Sequence, residues 1–361
     1  MAGLAVEMPV RAVAMSPVPP AVKRLRQALT LASPRAYCCR EIHSKTMQAA
    51  IDELCRGTRF DLIQLESSLL CAFRLPHHIP VIIDEHNIEY EVFQRLWEGE
   101  RSLARRAFNR SEYARFRRFE QRCWRRADGC AVTSEREVET VRTCAPATPV
   151  AVVPNAVDLQ YFAPSPARAA APSLVFNGTL DYRPNLDAAR YLLEEIWPLV
   201  HRRHPEATLT LIGRSSGVDL RPLRRPGVRL LGEVPDIRPH LRAAAAVVAP
   251  IRMGGGTRLK VLEALAMAKP VISTTIGCEG VAVRDGEHLL IADEAATFAA
   301  RISTVFENPN LAEALGRAGR RLIEAGYSWE RAGERLDSLL QAVAGSHPLT
   351  PSNAPFTLAE V

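Results

Sequence analysis

The richest concentration of chemistry lies in one stretch, Pro250-Ile-Arg-Met-Gly-Gly-Gly-Thr-Arg-Leu-Lys-Val-Leu-Glu263. An apolar run ends, and Gly254, Gly255 and Gly256 turn the chain. Thr257 is placed to cap a helix, and Arg258 and Lys260 fall in its first turn. A helix N-terminus is already positive, so two cations there are unfavourable unless an anion completes the site. Bare backbone N–H groups beside Arg and Lys suit a phosphate. Glu263 is the sole ionisable side chain between Val261 and Ala268, and a carboxylate can accept hydrogen bonds from the two hydroxyls of a ribose. The plainer alternative is a solvent-facing Lys260–Glu263 pair at i, i+3 spacing, which leaves the clustered cations and glycines unexplained. Lysine is a rare choice in this chain: Lys23, Lys45, Lys260 and Lys269 are the only four, and arginine supplies the other positive charges.

Other phosphate-binding patterns are excluded. The chain has no G-x-G-x-x-G and no G-x-x-x-x-G-K-[ST]. It also lacks any D-x-D, which argues against a metal-held diphosphate; no metal or cofactor is expected. A departing diphosphate would then be neutralised by protein cations and helix dipoles.

Short apolar runs carry these residues. In the second half Leu174–Asn177 leads into Gly178, Thr208–Ile212 into Gly213, and Val228–Leu231 into Gly232. Val247–Ile251 leads into Gly254–Gly256 and Val271–Thr274 into Gly277, and Leu289–Ala292 follows. Between the first two runs Leu186, Ala189, Leu193, Ile196 and Val200 keep helical spacing. Further helices are read at 258–268, 297–306 and 311–325. Strand, turn and helix in repetition predict an α/β fold with a parallel sheet covered on both faces. Each glycine is by itself an ordinary tight turn. Several along one sheet edge point to a ligand cleft at the carboxyl ends of the strands. In the first half the expected strands are Val10–Met15, Leu62–Leu65, Val81–Asp84, Cys130–Thr133 and Val150–Val153.

The whole is 361 residues, 47% apolar and 24% charged, with a formal charge of +6. That suits two ordinary domains and excludes a disordered chain. The longest apolar stretches, such as that ending at Met267, fall far short of the ~18–20 residues of a membrane span. Met1–Pro20 carries charges and four prolines rather than a signal core. Seven of the eight cysteines lie in the first 144 residues without C-x-x-C spacing, so reduced thiols in the cytoplasm are expected.

An ordered set of segments resembles the retaining glycosyltransferases of family 4. They are Asp84–Glu89, Val153–Asp158, Asn177–Asn185, Leu211–Arg214, Gly232–Asp236, Gly254–Glu263, Lys269–Thr274, Gly277–Gly280 and Tyr327–Trp329. The resemblance implies the GT-B fold, two facing Rossmann-like domains, and transfer from a nucleotide diphosphate sugar without a metal. It implies that Arg258 and Lys260 hold the donor diphosphate, that Gly178 gives backbone access opposite them, and that Gly255, Gly256 and Thr257 complete the turn. It implies further that Glu263 binds the ribose, that Gly213, Arg214 and Val234 border the base, and that His86 positions the sugar. Asn185 reads as a helix cap rather than a ligand contact. Two departures stand out. Gly255 occupies the place of the first acid in the paired E-x7-E of many relatives. Gly3 and Gly57 are the only glycines among the first 90 residues, so the first domain is expected to lack its opening β-α-β unit.

The expected organisation is a first domain at 1–160, a linker at 161–173 and a nucleotide-sugar domain at 174–328. A helix at 329–345 crosses back, and a mobile tail covers 346–361. Arg95–Arg126 holds eleven arginines interleaved with aromatics. It reads as a helix with a solvated basic face, or as a peripheral contact with anionic membrane on its inner face or with a phosphorylated acceptor. No motif supports nucleic acid, and the acceptor is open. The rival functions are a sugar-nucleotide epimerase of the same fold and a non-catalytic nucleotide-sugar-binding protein.

Overall fold

The computed structural model describes residues 9–14, 19–30, 33–100, 102–165, 171–345 and 355–356. They form two compact units. Met1–Val132, Glu137–Ala151 and Asp337–Val361 contribute to the first, and Thr133–Arg136 with Val152–Leu336 make the second.

The first unit is built on a four-stranded sheet in the order β1 (Ile63–Leu65), β2 (Val81–Glu85), β3 (Gly129–Val132), β4 (Val150–Val152). Strand β2 runs parallel to both β1 and β3. The expected strand at Val10–Met15 is a correction: residues 9–14 form none, and Met15 lies outside the described residues. Val10 is exposed and Arg11 pairs with Glu53 at 2.7 Å, so this stretch has no buried face to lay on a sheet. Helices occupy the segment before β1 instead, at Pro20–Thr30, Tyr37–Ile42 and Lys45–Gly57. The helix Leu103–Arg126 anchors the core by burying Phe116, Cys123 and Trp124, while most of its arginines face solvent. The described part of the expected tail, Pro355–Phe356, pairs antiparallel with Leu75–Pro76.

The second unit has six parallel strands: β5 (Ser173–Asn177), β6 (Thr208–Ile212), β7 (Val228–Gly232), β8 (Ala246–Ala249), β9 (Val271–Ser273) and β10 (Leu290–Ile291). Their spatial order is β10-β9-β8-β5-β6-β7. Side chains alternate with the pleat: Leu174 and Phe176 enter one apolar layer and Val175 the other. Both faces are therefore covered, as an all-parallel sheet requires. The pattern from Leu186 to Val200 folds as Arg183–Tyr191, a π-helical turn Leu192–Ile196 and Trp197–Arg203. Pro198 has no N–H to donate and its ring crowds the preceding turn, which the widened segment absorbs. The last helix, Trp329–Gly345, starts in the second unit, and its turns from Asp337 belong to the first, where Leu339 and Val343 pack on Gly129. Among the described residues no helix is long and apolar enough to cross a membrane.

Candidate functional site

Strands β5 and β6 are central neighbours, and the turns at their carboxyl ends touch. The Gly178 N–H donates to the Ile212 carbonyl at 2.8 Å and the Gly213 N–H to the Gly232 carbonyl at 2.7 Å. A Cβ at Gly213 would lie 2.0 Å from the Gly178 carbonyl oxygen, so glycine there is a steric necessity. A Cβ at Gly178 would lie 2.6 Å from Lys260 Nζ. The bare backbone of Gly178 and the ammonium of Lys260 therefore share one spot at the sheet edge.

Lys260 Nζ donates to Asn185 Oδ1 at 2.8 Å and stands 4.8 Å from the centre of the Phe176 ring. Asn185 Nδ2 donates to the Thr179 carbonyl at 3.0 Å, which fixes the amide with its oxygen toward the lysine. No carboxylate forms an ion pair with Lys260 among the described residues. Burial, and then the nearby Arg258, pull its pKa down from 10.5 to about 7, against a weaker opposing pull from Glu263. A buried lysine whose charge is disfavoured and that has only a neutral acceptor is a candidate for binding an anion. Glu263 is itself raised by burial, opposed by a hydrogen bond from Asn177 and by the charge of Lys260. Lys260 and Glu263 are thus each held by an asparagine of the Asn177–Asn185 segment, and the solvent-facing pair is not what forms.

The glycine turn is built by left-handed backbone, with φ of +103° at Gly254 and +74° at Gly256. The helix that follows spans Leu259–Ala266, with Arg258 as its N-cap and no side-chain capping bond. Thr257 is therefore not the cap, a correction. Its hydroxyl turns toward Gly280, 2.8 Å from where a Cβ there would sit, and Oγ1 is buried without a partner. Arg258 moves from the first turn to the cap position. Its guanidinium donates to the carbonyls of Gly255 and Met253. Lys260 occupies the first turn as expected.

Arg214 is exposed and its Nε donates to Asp181 at 3.2 Å. Val234 packs against the apolar layer that contains Val175 and Ile212. His86 belongs to the first unit, just after β2, exposed, with Nε2 3.0 Å from Glu66. Glu66, Asp84 and His86 are grouped closely enough to hold a common cation. Burial, then Glu66, raise the Asp84 carboxyl. Beneath this loop Glu85 accepts from Trp124 Nε1 at 2.7 Å, and Glu120 accepts from Ser68 Oγ and the backbone N–H groups of Glu89 and Tyr90.

Sequence reasoning missed Asn185 and Asn177 as partners of the charged groups. Asn185 is not a cap: it lies inside the helix Arg183–Tyr191, whose N-cap is Tyr182. A polar residue inside a helix, a few positions after a strand-end glycine, was the available signal.

Residues 171–308 match the family of glycosyl transferases group 1, and residues 14–161 match Glycosyltransferase Family 4. The chain is 28% identical over 209 residues to a phosphatidyl-myo-inositol mannosyltransferase of Mycobacterium tuberculosis, covering 54% of each. It is 30% identical over 217 residues to a GDP-mannose-dependent monoacylated alpha-(1-6)-phosphatidylinositol monomannoside mannosyltransferase of Corynebacterium glutamicum, covering 53% of this chain and 55% of that protein. The chain thus spans about half the length of these relatives. Its fold is similar to sucrose-phosphate synthase of Thermosynechococcus elongatus, with a TM-score of 0.66 at 19% identity over 83% of this chain and 78% of that one. It is also similar to the Anabaena protein HepE, solved in complex with UDP, with a TM-score of 0.63 at 15% identity over 82% of each.

Proposed function

Because the chain belongs to the glycosyltransferases of family 4, GT-B proteins whose members are retaining, we propose that it moves a hexosyl group from a nucleotide diphosphate sugar to an acceptor. The observation that supports this most is the unneutralised ammonium of Lys260 beside the bare backbone of Gly178. In this reading the diphosphate lies across Lys260, the N–H groups of Gly255 and Gly256 and the hydroxyl of Thr257. Arg258 exchanges its carbonyl partners for phosphate oxygens. Glu263 accepts from the ribose, and Gly213, Arg214 and Val234 border the base.

The chemistry then needs no protein nucleophile. The bond from the anomeric carbon to the diphosphate oxygen breaks, and its electron pair leaves with the diphosphate. The acceptor hydroxyl attacks from the same face and gives its proton to a departing oxygen. Lys260 and Arg258 lower the barrier by stabilising charge that grows on the leaving group. The donor base is one of two the relatives suggest: HepE was solved with UDP, and the Corynebacterium enzyme is GDP-mannose-dependent. All eight cysteines are free thiols, which suits a reducing cytoplasm.

The test is incubation with UDP- and GDP-sugars and a panel of acceptors, the product read by NMR. A glycoside with the donor's anomeric configuration supports the reading. An inverted product overturns it, free epimerised nucleotide points to an epimerase, and donor binding without turnover points to a binding protein.

A further inference from the structure

A cavity of about 700 Å³ lies within the first unit, a volume typical of small-molecule sites. Its walls come from residues 34–52, from Ala72 and Arg74, and from one face of the helix Leu103–Arg126. Seven of its sixteen lining residues are Arg or Lys, and Asp52 is the one acid among them.

Six of these seven cations, all but Arg35, fall into two groups. Arg115 is structural: it is buried, donates to the carbonyls of Thr30 and Ser33, and pairs with Glu112 at 2.9 Å. Arg40 donates to Ser33 Oγ at 2.8 Å, and Arg74 faces Asp52 at 3.7 Å. Arg118, Arg122 and Lys45 have no acidic partner among the described residues. Arg118 and Arg122, both exposed to solvent, stand one helical turn apart and both line the cavity. Like charges gathered round one volume repel each other, and a bound polyanion would turn that cost into attraction.

The wall between the cations is apolar, from Pro34, Ala36, Ala49, Ala72 and Phe119. An inorganic anion would fill a small part of the space. We infer that this cavity binds a phosphate ester, its phosphate in the forks of Arg118 and Arg122 and its organic body against Phe119 and the alanines. The residues are separate from those that hold the donor in the second unit, and the inference does not depend on transfer activity.

The experiment compares the full chain with Arg118→Glu/Arg122→Glu and with Arg106→Glu/Arg126→Glu. The second pair reverses the same charge at exposed positions of the same helix outside the cavity. Glycerol 3-phosphate is titrated calorimetrically, and vesicles of phosphatidylglycerol in phosphatidylcholine are tested by flotation against phosphatidylcholine alone. Thermal unfolding checks that each variant folds, and Lys45→Glu repeats the test from a different helix. The cavity variants should lose about tenfold or more in affinity, while the control pair stays near the parent. Loss with glycerol 3-phosphate identifies a soluble ester, and loss with vesicles alone identifies a lipid headgroup. No binding of either probe by the parent, or equal loss in both double variants, overturns the inference.

Discussion

Lys260 lies in the first turn of the helix Leu259–Ala266 and Lys269 just past its carboxyl end, and the protein treats them in opposite ways. Lys269 follows the helix's carboxyl end and donates to the carbonyls of Arg242 and Ala244 at 2.6 and 2.9 Å. There it also closes the helix Arg238–Ala243, where a cation meets the negative end of the dipole. Lys260 sits at the opposite, positive end, next to Arg258, with one neutral acceptor. Burial lowers the pKa of both. Lys269 is satisfied by backbone and reads as structure. Lys260 is kept charged or neutral at little margin, and that imbalance makes it the candidate for a ligand contact.

The contrast can be broken by exchanging the readouts. Lys260→Ala is expected to cost roughly 100-fold in affinity for UDP or GDP, the upper range for a charge-assisted hydrogen bond. Its unfolding midpoint should hold or rise, because a disfavoured charge is gone. Lys269→Ala should do the reverse. Orphaning two carbonyls lowers stability by about 2 kcal/mol, visible in denaturant unfolding, with nucleotide affinity unchanged. If both variants lose the same property, the two lysines are not different in kind. A smaller effect sharpens the site: Glu263→Gln should weaken nucleotide binding about fivefold, near 1 kcal/mol for a neutral replacing a charged acceptor. A deoxyribose analogue should narrow that gap between parent and variant.

The second unit was largely legible in the sequence because its logic is local. Five of the six strands end on a glycine or are followed by one within a few residues, and the parallel order follows from strand–helix alternation. Lys260 stood out because a chain so rich in arginine chose lysine there. What stayed hidden depends on contacts between distant segments. Asn185 reaches Lys260 across 75 positions, and Ser68 reaches Glu120 across 52. No local spacing encodes either. Thr257 looked like a cap by residue type, yet Arg258 in extended backbone took that place. The arginine-rich helix was legible as a helix. Its cavity was not, because the opposite wall lies at residues 34–52. The expected strand Val10–Met15 misled because its described residues, 10–14, have no sheet partner to bury them.

The most direct test of the account is proton uptake on nucleotide binding. Unliganded Lys260 loses its proton near pH 7, whereas a bound diphosphate favours the ammonium and raises its pKa. Above that pH, binding must draw a proton from solution, so affinity falls as pH rises; below it the lysine is already charged. Calorimetric titration of the tighter of UDP and GDP at about pH 8, in two buffers of different ionisation enthalpy, should show uptake approaching about one proton per nucleotide. Lys260→Arg, always charged, should show none. A parent protein that binds the nucleotide with no uptake, or uptake that persists in Lys260→Arg, would contradict the claim that this ammonium grips the diphosphate.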